Sequence, residues 1–171
     1  MVQKKNETSL KQYAKRRTVS ESGEPAAQKK VTKGKQPLFV IQRHDASHLH
    51  YDFRLEIGGV LVSWAVPKGP SKNPTIKRLA VRTDNHPMAY ATFEGRIAEG
   101  HYGAGTVAIW DHGTFENIKT HEGKPVSLGQ CLRDGQIEVR LHGEKLQGNY
   151  VLIRFKEERG TEQWLLKKMR E

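Results

Sequence analysis

After residue 37 the chain holds no sustained 3.6-residue apolar period; it consists of short runs in which apolar side chains recur at every second position. The clearest is "HLHYDFRLEI", His48 to Ile57. At about 100° per residue a helix would scatter Leu49, Tyr51, Phe53, Leu55 and Ile57 around its axis. As a strand it places all five on one face and His48, His50, Asp52, Arg54 and Glu56 on the other. The neighbouring segments read the same way. "LFVIQ" after Pro37 is a short buried strand, "RHDAS" a break, and Gly58-Gly59 a tight turn into "VLVSWAV". "RLAVRT" is a strand ended by "DNHP", and "TVAIW" and "GTFE" read as a hairpin turning at Asp111 to Gly113. "GQIEVRLHG", "GNYVLIRF" and "EQWLLKKM" read as a meander, and "KTHEGKPVSLGQCLRDG" as a loop with a helical turn. The expected fold is mainly β: a small antiparallel β-barrel with short helical turns and a flexible basic N-terminal arm.

Charge separates the arm from the rest. Residues 1 to 36 carry ten Lys or Arg against three Glu, so most of the net charge of +10 lies there. With few large apolar residues, this segment is expected to be largely disordered, either a solubilising tail or an arm that grips a polyanion in a salt-dependent way. The barrel domain is expected over residues 37 to 171. Cys131 is the one cysteine, which excludes an intramolecular disulfide and reads as a buried thiol. The opening lacks an apolar h-region, and no run approaches the ~18 apolar residues of a spanning helix, so a soluble, cytoplasmic chain without a membrane partner is expected.

The polar face of the His48–Ile57 run has an unusual composition. Ordinary wet strand faces favour Lys, Thr, Glu and Ser; this one offers two imidazoles and a carboxylate, then a guanidinium suited to phosphate. His44 would lie roughly 20 Å from His50 along a straight strand. A bend at Asp45-Ala46-Ser47 brings the rings together, and His44, His50 and Asp52 then form a two-His, one-carboxylate set suited to manganese, zinc or iron. Taken singly, His86 in "DNHP", Tyr90, Lys68 and Arg78 read as surface residues. "EGHYGAG" lacks the lysine and hydroxyl of a P-loop, so its glycines serve turns or close backbone approach. Trp64, Trp110 and Trp164, flanked by aliphatics, read as core.

Together "QRHDASHLHYDFRLEIGGVLVSWAVPKGPS", "RLAV", "DNHPMAYATFEG" and "EGHYGAGTV" resemble the 3′-phosphoesterase module of bacterial DNA ligase D and its stand-alone relatives. The resemblance spans roughly residues 10 to 168. It implies a manganese-dependent β-barrel enzyme (other divalent transition metals being possible) that acts on DNA 3′ ends at primer-template junctions. Such an enzyme removes a terminal 3′-ribonucleoside and then the 3′-phosphate, to leave a 3′-OH. By that resemblance the metal ligands are His44, His50 and Asp52, and the phosphate-contacting residues Arg54, His86 and Tyr90. Lys68 and Arg78 are accessory basic residues; Arg17, Glu24 and Asp84 are further substrate-binding positions. His48 has no counterpart among the family's catalytic residues. The N-terminal motif Y-x-x-K-R-D-F-x-x-T-P-E-P is met at Tyr13, Arg17, Glu24 and Pro25. Thr18 stands in place of its Asp, Ser22 in place of its Thr, and Asp84 in place of a Glu, changes that bear on the ribonucleoside step. The implied partners are DNA, a separate DNA ligase and end-joining factors, with the chain itself a monomer. Two rival readings remain at this stage. One is a binding or ligase-docking module that has lost its chemistry; the other is a non-haem iron oxygenase using His50, Asp52 and His142.

Overall fold

The computed structural model describes residues 7–28 and 36–170. Two short helices, α1 (Lys11–Arg16) and α2 (Val19–Ser22), precede eleven strands. These are β1 (Leu38–Asp45), β2 (Leu49–Ile57), β3 (Val60–Val66), β4 (Arg78–Pro87), β5 (Gly95–Ile97), β6 (Gly105–Asn117), β7 (Thr120–His121), β8 (Lys124–Pro125), β9 (Gln136–Gly143), β10 (Gln147–Glu158) and β11 (Thr161–Lys168). A 3₁₀ turn (Met88–Thr92) follows β4, and helix α3 (Leu128–Asp134) precedes β9. The main sheet has nine strands in the order β1-β2-β3-β4-β11-β10-β9-β6-β5, all paired antiparallel, and a further β1–β6 pairing closes it into a ring. The expected mainly-β barrel is what forms. Among the described residues no helix is long and apolar enough to cross a membrane.

Period two decides what fills the ring. Phe39 and Ile41 of β1, Phe53, Leu55 and Ile57 of β2, and Val62, Trp64 and Val66 of β3 join Trp164 and Leu166 in one interior core. The Gly58-Gly59 turn sets this register, with both φ angles positive. The opposite face of the same three strands is covered too. Val40 and Leu61 pack there with Tyr13, Met88 and Tyr90 in a second, smaller cluster. The outer face of β1–β3 is thus roofed by α1 and the 3₁₀ turn, and polar side chains on it lie between two apolar layers.

Three expectations are corrected. Residues 7–28 of the expected loose arm are packed: Tyr13 is fully buried, while Arg82 Nη2 and Asn85 Nδ2 donate to the Glu7 carbonyl and Asn85 also to that of Ser9. An aromatic side chain buried on folding contributes about 2–3 kcal/mol, enough to fasten a short segment that composition marks as polar. Residues 1–6 and 29–35 of that arm lie outside the described residues. Second, Asp111 to Gly113 is no hairpin turn, because β6 runs straight through it, pairing first with β1 and then with β9. A register shift opposite Ile41 and Gln42 accommodates Trp110, and the buried Asp111 carboxylate accepts backbone N–H groups of Glu144, Lys145 and Leu146 at the β9–β10 turn. Third, "DNHP" continues β4, with His86 opposite Leu61 past a second irregularity. The meander β9-β10-β11, the helical turn at α3 and the burial of Trp64, Trp164 and Cys131 follow the sequence reading.

Candidate active site

The break at Ala46 to His48 is the turn of a β-hairpin, and its register sets His44 directly opposite His50. The rings lie 4.7 Å apart at their centroids. Each imidazole has one nitrogen tied to a backbone carbonyl. His44 Nε2 donates to Gly103 O at 2.7 Å and His50 Nδ1 to His48 O at 3.0 Å. The nitrogens left over face one carboxylate: His44 Nδ1 is 3.4 Å from Asp52 Oδ2, and His50 Nε2 is 3.3 Å from Asp52 Oδ1. One donor atom from each residue lies within 4.8 Å of the other two. Fixing the second nitrogen of each ring is how ligating imidazoles are oriented and held in the needed tautomer, so the set fits a divalent transition cation. Burial alone would raise the Asp52 pKa, but the Arg54 charge and the contacts from His44 and His50 outweigh it, and the group is held well below the ordinary carboxylate range.

Arg54, two residues along the same face, is 3% exposed and almost fully engaged. Its Nε donates to Gln42 Oε1 at 2.6 Å, its Nη1 to Ser63 Oγ at 2.9 Å, and its Nη2 to Asp52 Oδ2 at 3.3 Å. Gln42 Nε2 donates in turn to the carbonyls of Tyr90 and Phe93, at 2.8 and 3.1 Å. One amide therefore fixes both the guanidinium and the turn that carries Tyr90.

His86 closes the group from β4. It is packed edge-on against Tyr13 and Tyr90, with centroids at 5.1 and 4.5 Å, and lies between two guanidiniums, Arg54 Nη1 at 3.1 Å and Arg17 Nη2 at 3.4 Å. Its Nδ1 donates to Asp84 O at 2.7 Å, which leaves the Nε2 lone pair for Arg17. Burial first, and then the charges of Arg54 and Arg17, push its pKa well below the ordinary value. His86 is therefore a neutral ring here.

The N-terminal segment completes the wall. Arg17 Nε pairs with Glu24 Oε2 at 3.0 Å and its Nη1 with Asp84 Oδ2 at 3.4 Å, while its guanidinium lies 4.3 Å from the Tyr13 ring centroid. The Tyr90 hydroxyl donates to Glu24 Oε2 at 2.9 Å, and the Tyr13 hydroxyl donates to Pro25 O. Glu24 Oε1 is buried without a hydrogen-bond partner, and Glu24 is not among the described residues that line the cavity. Arg17, His44, His50, Asp52, Arg54, Asp84, His86 and Tyr90 all line one cavity of about 290 Å³.

Lys68 is exposed in the loop after β3, and Arg78 opens β4 opposite Leu166; neither is among the described residues that line the cavity. His142, the third residue of the oxygenase reading, instead pairs with Glu116 at 2.5 Å on β6 and β9. His48 is exposed and contributes its carbonyl to His50. Gln42 and Ser63 were missed. Their signal was a polar residue in phase with the site face of an otherwise apolar run, Gln42 with His44 in "LFVIQRH" and Ser63 in "VLVSWAV".

Residues 42–154 match the sequence family described as the DNA Ligase D 3'-phosphoesterase domain. The multifunctional non-homologous end joining protein LigD of Pseudomonas aeruginosa is 44% identical over 163 residues, 95% of this chain and 19% of that protein. The corresponding DNA repair protein of Mycobacterium tuberculosis is 46% identical over 145 residues, 85% of this chain and 18% of its own length. That of Mycolicibacterium smegmatis is 41% identical over 162 residues, 95% of this chain and 21% of its own length. The chain spans about a fifth of the length of these relatives.

Proposed function

This chain belongs to the DNA Ligase D 3'-phosphoesterase domain family, and from that premise we propose that it is a metal-dependent phosphoesterase acting on DNA 3′ ends. It removes a 3′-phosphate, and a terminal 3′-ribonucleoside where one is present, from primer-template ends. The product 3′-OH is what a ligase needs, so a ligase and end-joining factors are its proposed partners. The observation that carries this reading is the meeting of a three-ligand set with Arg54 and His86 in one cavity.

His44, His50 and Asp52 would hold the metal, proposed to be Mn²⁺ for its fit to a mixed imidazole and carboxylate set. When bound, such an ion supplies Lewis-acid stabilisation of a phosphoryl oxygen. The chain's own residues do the rest. Arg54, locked by Gln42 and Ser63, keeps a fixed positive charge beside the ligands and costs no reorganisation as negative charge grows on the phosphoryl group. Arg17 places a second guanidinium on the opposite side of His86. Burial raises the Tyr90 pKa, so its hydroxyl keeps its proton and donates it to Glu24 Oε2, which fixes the ring against His86. Tyr13 and Tyr90 exclude water around His86, and in that setting each charge acts more strongly than in bulk solvent. For the ribonucleoside step, Glu24 acts from behind the cavity wall, holding Arg17 and the Tyr90 hydroxyl in place.

The test is release of phosphate from a 3′-phosphorylated primer-template, and of the nucleoside from a single 3′-ribonucleotide end, with and without Mn²⁺. DNA binding with no release under any divalent metal would leave a binding module in place of an enzyme.

A further inference from the structure

We propose that Tyr102 is the stacking platform for the base of the 3′-terminal nucleotide, an inference that rests on the DNA 3′-end reading above. Tyr102 lies in the glycine-rich segment between β5 and β6 and is 50% exposed, among the most exposed large hydrophobic side chains described. It stands on the rim of the catalytic cavity, next in sequence to Gly103, whose carbonyl orients His44. The same ring also lines a second, open groove of about 600 Å³ that runs between α1 and β4. Thr83, Asp84 and Tyr102 are shared by cavity and groove, so the ring stands where one opens into the other.

Size supports the assignment. A cavity of about 290 Å³ is at the small end of the range for small-molecule sites, and here it must take the phosphate, the sugar and the ion. The base attached to that sugar must then leave over the rim, and Tyr102 is the aromatic surface there that is not buried. The ring is also held in place. Arg16 Nη1 donates to its hydroxyl at 2.9 Å, and the Arg16 and Arg17 guanidiniums lie 4.9 and 5.3 Å from its centroid. A half-exposed tyrosine fixed by two cations presents a flat apolar surface at little ordering cost. Such stacking tolerates every base, as an end-processing enzyme requires, because each base has a π-face.

Two readouts on the full chain test this. The first uses a 3′-phosphorylated primer-template whose terminal base is the fluorescent 2-aminopurine, added to metal-free protein. Wild type and Tyr102→Phe quench the fluorescence; Tyr102→Ala does not. The second compares KM in Mn²⁺ for a base-bearing 3′-phosphate end and for one on a terminal abasic sugar. Wild type favours the base-bearing end by about tenfold, as expected for one stacked base, and Tyr102→Ala loses that preference. Equal quenching by wild type and Tyr102→Ala, or an undiminished preference in the variant, would overturn the inference and leave the phosphoesterase reading standing. Quenching that requires Tyr102, with no phosphate released from either end by wild type, would overturn the phosphoesterase reading alone.

Discussion

His44 and His50 are register partners across the β1–β2 hairpin, and each turns one ring nitrogen toward Asp52 while a backbone carbonyl holds the other. The pairing makes the candidate ligand set a property of one short hairpin, which the rest of the barrel supports.

Asp52 has two proposed duties, metal ligation and charge pairing with Arg54, and comparison with His50 separates them. Asp52→Asn loses metal affinity, and it also leaves buried Arg54 without its carboxylate, a loss of roughly 3 kcal/mol of stability. His50→Ala, at a half-buried position, loses metal affinity with a stability change of roughly 1 kcal/mol or less. Calorimetric Mn²⁺ titration beside urea unfolding checks both.

The turn that holds His44 depends on Gly105. A Cβ there would lie 2.2 Å from the Asp45 carbonyl oxygen and 2.9 Å from Ala46 Cα, at a φ of +142°. Gly105→Ala should cost about 2–4 kcal/mol and weaken Mn²⁺ binding by displacing the hairpin turn. Gly100→Ala, whose Cβ meets nothing within 4 Å at φ +85°, should cost about 1 kcal/mol through backbone strain alone. Differential scanning calorimetry of the two variants gives the comparison.

The neutral His86 makes the metal-free protein acid-sensitive. Its folded pKa lies well below the unfolded value of about 6.5, because of burial and the two guanidiniums. Below about pH 6.5 the unfolded chain takes up a proton that the folded chain refuses, so stability falls as pH falls, by about 1.4 kcal/mol per unit. His50, raised by its bond to Asp52, adds stability that is already complete below that pH and contributes no slope there. Asp52, lowered, adds its own loss only below about pH 4. Urea unfolding between about pH 4.5 and 6.5 should show this slope in wild type and a flatter one in His86→Gln.

The N-terminal segment should detach as a unit. Tyr13→Ala removes the aromatic that packs on His86 and Tyr90 and the hydroxyl that bonds Pro25. Hydrogen exchange should then speed up across residues 11–25 while the amides of β2 and β3 stay protected, since their buried apolar side chains other than Leu61 pack in the interior core, apart from Tyr13. Uniform loss of protection would show that the roof is integral to the barrel.

What the sequence made legible follows from which forces are local. Alternation from Leu49 to Ile57 fixed the strand, the Gly58-Gly59 turn fixed its partner, and the two together predicted which side chains share a face. The bend joining His44 to His50 was readable because Asp45, Ala46 and Ser47 permit a turn. The through-running β6 was not, since Asp111-His112-Gly113 looks like turn chemistry until the buried carboxylate is seen capping a different turn. Nor was the packing of Tyr13, whose partners His86 and Tyr90 lie more than seventy positions away and outweigh the polar composition around it. Neutral His86 was equally hidden, because the sequence places no guanidinium beside it; the fold brings Arg17 and Arg54 to its two nitrogens.

The most direct measurement is single-turnover phosphate release from a 3′-phosphorylated primer-template, in Mn²⁺ and in chelator, for wild type and His50→Ala together. The account predicts release by wild type in Mn²⁺ alone and a rate at least about a thousandfold lower for the variant. Equal release in chelator, or a variant as fast as wild type, would contradict it.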